Sequence, residues 1–247
     1  MITTYHRPKT LDEALTLLNQ ANRIPLGGGT LLSHSTADPV EVVDLQSLSL
    51  DSIKKSGNNL DIGATVTLQQ LLETDHCPAA LKSALRLEAP LNIRNAATVA
   101  GTLVSGDGRS TLGTVFLALD AKIETRYSTD DSRISNVGEF LPLRPRGLIT
   151  SISIPLNVKL AFDYVSRTPA DKPIVCVALA QWSSGRTRLA LGGYGKSPLL
   201  AMDGTEPEGA EAAARNAFHE ATDEWASAAY RMDVASTLAK RSLERVS

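Results

Sequence analysis

The segment APLNIRNAATVAGTLVSGDGRST, residues 89–111, decides how this 247-residue chain is read. Ala96, Ala97, Ala100 and Gly101 carry almost no side chain, and Gly106 and Gly108 come after them, between two apolar, helix-like runs. A backbone this bare is one that something approaches closely. Its amide N–H groups can then point at an anion, because no side chain blocks the way. A second bare stretch, Gly27-Gly28-Gly29-Thr30, lies far upstream. Taken singly, each cluster reads as an ordinary tight turn, because short glycine motifs often match by chance. Taken together, two exposed-amide loops point to one elongated ligand whose central pyrophosphate lies between them.

Composition removes several alternatives. Hydrophobic residues make up 43% of the chain, enough for a substantial core, so a disordered chain is excluded. Aromatics are only 4%, too few for base-stacking platforms, and a formal charge of −2 with no basic run argues against nucleic acid as a partner. Cys77 and Cys176 are the only cysteines and form no C-x-x-C pair, so neither a zinc site nor an iron–sulfur cluster can be built from this chain alone. They read as small apolar fillers in a reducing compartment. No apolar h-region or membrane-length window is present, and the expectation is a soluble cytoplasmic protein with no membrane span.

Periodicity places the motifs. Thr10 to Glu13 fits a capping box opening a helix from about Leu11 to Gln20, and Thr67 to Gln70 fits another. Ile24-Pro25-Leu26 reads as a strand running into Gly27, with Leu31 and Leu32 opening a single helical turn; Val40 to Leu45 reads as a buried strand. Leu112, Val115, Phe116 and Leu119 mark a helix, Lys122 to Tyr127 a strand, and Val137 to Leu141 one helical turn. Leu148 to Ile154 alternates as an antiparallel strand does. Pro155 to Lys159 reads as a linker. Beyond it come three strands, Phe162–Ser166, Ile174–Trp182 and Arg186–Leu191, then two helices, about Ala210–Trp225 and Ala228–Arg241.

The usual catalytic and nucleotide motifs fail. His6, His34, His76 and His219 are scattered, none with a second ligand-type residue at i+4, and no serine sits in a G-x-S-x-G elbow. Gly27-Gly28-Gly29-Thr30 lacks the lysine of a P-loop and the long helix and acidic residue of a Rossmann fingerprint. The sequence therefore offers no catalytic residue and no metal ligand set.

The ordered set of a helix, a G-G-G-T loop, I-R-N-x-A-T-x-x-G-x-L at 93–103 and L-A-L-D-A at 117–121 resembles the FAD-binding medium subunit of the molybdenum hydroxylases, the carbon monoxide and xanthine dehydrogenase type. Tyr5-His6-Arg7-Pro8, Val43-Asp44-Leu45, Ile62-Gly63-Ala64, Leu191-Gly192-Gly193-Tyr194-Gly195 and the run from Tyr230 to Leu243 also resemble runs of that family. The resemblance implies an α+β chain: a two-subdomain FAD-binding fold of the vanillyl-alcohol-oxidase-like, PCMH type over 1–155 (subdomains about 1–55 and 56–155), then a small α+β domain over 160–247 with a three-stranded antiparallel sheet and helices. It implies that Gly27, Gly28, Gly29, Thr30 and Leu31 in one loop, and Thr98, Val99, Ala100, Gly101 and Thr102 in the other, hold the FAD pyrophosphate. Its partners would be a large molybdopterin-binding subunit and a small 2Fe–2S subunit, in a dimer of heterotrimers. The chain departs from the family pattern in places. Ala100 and Thr102 replace a glycine and an asparagine, Thr111 stands for an aspartate facing the flavin, Tyr164 for a lysine, and Lys172 for an aromatic laid on the flavin ring. The resemblance implies a FAD-binding electron-transfer subunit; the departures at Ala100, Thr111 and Lys172 motivate an alternative, a flavin-free assembly subunit of the same complex.

Overall fold

The strands build three sheets, and one wholly buried helix joins two of them. The computed structural model describes residues 2–32 and 39–246. The first unit comprises β1 (Ile2–His6), α1 (Leu11–Leu18), β2 (Arg23–Leu26) and β3 (Val40–Asp44). Its strands pair in parallel in the order β1-β3-β2. Thr10 caps α1 by accepting from the Glu13 amide, but the Glu13 carboxylate turns to the Lys9 amide, so the expected capping box is half formed. Helix α1 ends at Leu18, two residues short of expectation. Leu31 and Leu32 lie in a turn, and His34 lies outside the described residues.

The second unit runs through β4 (Ile53–Ser56), β5 (Asn59–Gly63), α2 (Leu68–Glu73), α3 (Ala79–Glu88), α4 (Leu91–Arg94), α5 (Val99–Ser105), α6 (Thr111–Ala118), β6 (Lys122–Arg126), β7 (Ser132–Asn136), α7 (Val137–Leu143) and β8 (Leu148–Pro155). Its strands form an antiparallel sheet in the order β4-β5-β8-β6-β7. Strand β4 pairs with β5 in this sheet. Thr67 and Gln70 form the complete capping box that the sequence predicts. All eight residues of α6 are buried, with the hydroxyls of Thr111 and Thr114 paired to backbone carbonyls.

The third unit is β9 (Val158–Val165), β10 (Val175–Trp182), β11 (Thr187–Gly192), β12 (Leu199–Gly204), α8 (Ala210–Ala217) and α9 (Ala228–Val246). Its sheet has four antiparallel strands, β12-β11-β10-β9, where three were expected. The additional strand, Leu199–Gly204, lies at the sheet edge with Leu199 and Leu200 exposed, and its sequence does not alternate. The expected linker is also shorter: Val158 already belongs to β9. Helix α8 stops at Ala217, eight residues early, because the chain beyond it is drawn to the buried Arg231 guanidinium, which donates to the carbonyls of Ala221 and Ala226.

Residues of β10 and β11 alternate in size between the two faces. Cys176, Ala178, Ala180 and Ala190 join the large core around α6, while Val175, Val177, Leu179, Leu189 and Leu191 pack with α8 and α9. The small face lets α6 approach the sheet closely, making the second and third units one packed body. Burial pushes the thiols of Cys77 and Cys176 up to about 12, so neither is a reactive thiolate near neutral pH. At the end of α6, Asp120 pairs with Arg186 and Arg188 of the third unit, and both arginines also pair with Asp203.

Candidate functional site

The first glycine loop leaves the C-terminal end of β2 at Gly27. A Cβ on Gly28 would overlap the Ala96 carbonyl oxygen and lie 3.1 Å from Ala97 Cα; one on Gly27 would lie 2.8 Å from Thr98 Oγ1. The two loops, separated by some seventy residues of chain, are therefore in backbone contact. Gly29 has φ of +69°, a left-handed conformation that glycine adopts without a Cβ penalty. Part of the bareness read from the sequence thus serves the contact of one loop with the other, not only the approach of a ligand.

The second loop is held at both ends. The Leu68 amide donates to Ala97 O at 2.9 Å and the Val99 amide to Val66 O at 2.8 Å. Between them Thr98 is the N-cap of α5, its Oγ1 accepting from the Gly101 amide at 3.1 Å, and Thr102 Oγ1 donates back to Thr98 O at 2.9 Å. Among the described residues, the amides of Thr98 and Ala100 donate to no acceptor, although both residues are more than nine-tenths buried. These are the Ncap and second helical positions of α5, where backbone N–H groups lack intrahelical partners and are open to an external acceptor. No carboxylate occurs within 27–31 or 96–102, so nothing in the loops opposes a diphosphate. Leu31, Leu91, Ile93 and Val104 add exposed apolar surface on the loop, α4 and α5.

Thr111 and Lys172 do not join this cluster. Thr111 is 1% exposed, and its hydroxyl faces Ala84 O at 2.7 Å and Glu88 Oε2 at 3.0 Å. Glu88 also accepts from Ser110 Oγ and the Leu112 amide, capping α6 from outside the helix. The Thr111 hydroxyl thus ties α6 to α3. Lys172 lies at the other end of α5, its Nζ 3.5 Å from Asp107 Oδ1.

That other end is a joint between units. Gly108 N donates to Gly195 O at 2.9 Å and Gly193 N to Gly108 O at 2.7 Å. Arg109 donates to the carbonyls of Lys172 and Pro173 and lies over the Trp225 ring at 4.6 Å. Arg144 donates to the carbonyls of Gly106 and Lys196. Sequence reasoning ran this joint together with the ligand loop. It also missed Arg231, which is fully buried and bonded to Asp223 and to four backbone carbonyls. A usable signal was present: Arg231 stands in the stripe Arg231, Ala235, Leu238, Ala239, Ser242 that faces the core.

Two open clefts, of about 310 and 500 Å³, lie elsewhere, and neither includes a loop residue. The first is lined by Asp61 and Glu124 together with Lys54 and Arg126, and the second by Asp120 and Glu139 together with Arg188.

Residues 1–157 match the family described as the FAD binding domain in molybdopterin dehydrogenase. The chain belongs to that family. Its members are oxidoreductase components whose cofactor is FAD, and the two unspent amides and the carboxylate-free loops here fit such a group. The chain is 28% identical over 247 residues to the uncharacterized protein YgfM of Escherichia coli K12, covering 96% of this chain and 94% of that one. It is 26% identical over 275 residues to the carbon monoxide dehydrogenase medium chain of Afipia carboxidovorans, covering 98% and 95%. A crystal structure of the Cu,Mo-CO dehydrogenase in its cyanide-inactivated form contains a chain that superposes with a TM-score of 0.84 at 26% identity, over 100% of this chain and 98% of that one. The α+β architecture of this FAD-binding subunit is thereby shared with CO dehydrogenase. Among the described residues, no helix is long and apolar enough to cross a membrane.

Proposed function

We propose that this chain is the electron-transfer subunit of a molybdenum hydroxylase complex. In this reading residues 1–155 hold FAD and residues 160–247 form the companion domain. Electrons arrive from iron–sulfur clusters on a small partner chain, after substrate oxidation on a large molybdopterin-binding chain, and leave for an external acceptor. The complex is a dimer of such heterotrimers, in the reducing cytoplasm. FAD, when bound, supplies a carrier that takes electrons singly and gives them up in pairs. Gly27 to Leu31 and Thr98 to Thr102 hold its diphosphate, with the amides of Thr98 and Ala100 as donors and Thr98 Oγ1 keeping the α5 start in register. Leu31, Ile93 and Val104 offer apolar surface that excludes water beside it.

The single observation that carries this reading is the backbone contact of the two loops beside two buried, unspent amides. Protein purified from its native host should show flavin absorption and bring down a large and a cysteine-rich small chain. A complex that forms without flavin, from a chain that takes up no added FAD, would leave the assembly role in its place.

A further inference from the structure

The I-R-N segment contains a side chain that the proposed cofactor role has not used. Helix α4 is a single turn of four residues, too short to hold itself. Arg94 anchors it. Its Nε donates to Gln69 Oε1 on α2 at 3.0 Å, and its Nη1 to Ala89 O at 2.7 Å and Arg86 O at 3.3 Å. Those two carbonyls close the C-terminal end of α3, where backbone acceptors lack helical partners and a cation is favoured. One guanidinium therefore ties α2, α3 and α4 together immediately before Asn95.

From Asn95 the backbone is tied back to α4, the Asn95 amide donating to Leu91 O and the Ala96 and Ala97 amides to Ile93 O, before Ala97 O and Val99 N meet Leu68 and Val66, so the placing of α4 by Arg94 carries through to this stretch. The carbonyl between these anchors belongs to Ala96, the group against which Gly28 packs. Its position decides where the glycine-rich loop lands relative to the amides of Thr98 and Ala100. We propose that Arg94 is a positioning residue for the cofactor: it touches no ligand, but sets the spacing of the two diphosphate-holding loops. A lysine cannot replace it fully, because the acceptors lie in two directions and the planar fork supplies donors to both at once. The inference rests on the proposed FAD site.

The test compares four full-length proteins: the parent, Arg94→Ala, Arg94→Lys, and Phe218→Leu, a change in the buried core around α8 and α9. Each is stripped of flavin, and both its heat-unfolding midpoint and its FAD dissociation constant are measured. Arg94→Ala is expected to weaken FAD by roughly tenfold or more, about the worth of one charge-assisted hydrogen bond. Arg94→Lys should recover part of that loss, and Phe218→Leu should lower the midpoint with FAD affinity unchanged. Parent-like affinity in Arg94→Ala, or an equal loss of affinity in Phe218→Leu, overturns the positioning role while leaving the FAD site standing. A parent that takes up no FAD overturns the site itself.

Discussion

At its N-terminal end α5 meets the first glycine loop, with the amides of Thr98 and Ala100 unspent; at its C-terminal end, one short helix away, the backbone is tied to the third unit. There Gly106 accepts from Arg144, Gly108 exchanges hydrogen bonds with Gly193 and Gly195, and Arg109 holds Lys172 and Pro173. Both ends are written in the same alphabet of glycine and other small residues. A bare backbone therefore signals close approach without saying what approaches. Whether the partner is a ligand or another strand of the same protein is decided by which polar groups remain unpaired.

The largest way to disturb the joint end is through its support. Arg231→Met would leave Asp223 and four carbonyls without their cation, and leaving a buried acceptor unpaired costs about 1–3 kcal/mol. A large fall in the denaturant midpoint is expected, with FAD affinity preserved in the protein still folded. Matched methyl groups then separate the two ends. Gly108→Ala would drive a Cβ into the Tyr194 carbonyl and Gly28→Ala one into the Ala96 carbonyl, each costing about 1–3 kcal/mol as overpacking. Similar losses of stability should accompany opposite cofactor behaviour: FAD retained in Gly108→Ala and lost in Gly28→Ala. Equal retention in both would erase the distinction. Thr98→Val is smaller. It keeps the contact with Gly27 but removes the α5 cap, for about 1 kcal/mol, and should weaken FAD more than it lowers the unfolding midpoint.

The smallest effect expected is one of pH. Burial alone would raise the Asp223 carboxyl, but hydrogen bonds from Arg231 and from the Trp225 and Ala226 amides outweigh it and hold the group below the usual carboxylate range. The hydrogen bond from Arg186 likewise lowers Asp203, against a smaller opposing effect of burial. A depressed carboxyl contributes stability that is full above its unfolded pKa and is lost as pH falls through the folded value. Both groups lie in the third unit. Acidification below about pH 4, the unfolded carboxylate range, should therefore loosen the third unit, which Trp225 fluorescence would report. Trp225 fluorescence unchanged through the acid range would contradict this.

Much of the fold was legible because its elements are locally consistent. Thr67 with Gln70, the apolar spacing of α6 and the alternation of β8 each state their structure within a few residues. Strands Ile2–His6, Ser132–Asn136 and Leu199–Gly204 were not legible, because they are short and exposed and gain their structure by pairing with distant partners. Of the candidate site, the two bare loops were legible, but their contact with each other and the surroundings of Thr111 were not. Thr111 was drawn in by alignment to a family pattern, whereas its environment is set by Glu88, twenty-three residues earlier, and that relation has no local signature. Gly108 and Gly101 look alike in sequence; only the third dimension shows that a Cβ on Gly108 would strike backbone, while one on Gly101 meets just the Thr98 hydroxyl.

The central claim is that the diphosphate, held between two loops, dominates cofactor recognition. Titrating the flavin-free chain with FAD, ADP and riboflavin, by flavin fluorescence and calorimetry, tests it most directly. The account predicts one FAD bound per chain, displacement of FAD by ADP, and riboflavin binding weaker by orders of magnitude. Riboflavin binding as tightly as FAD, or FAD binding indifferent to ADP, would contradict it.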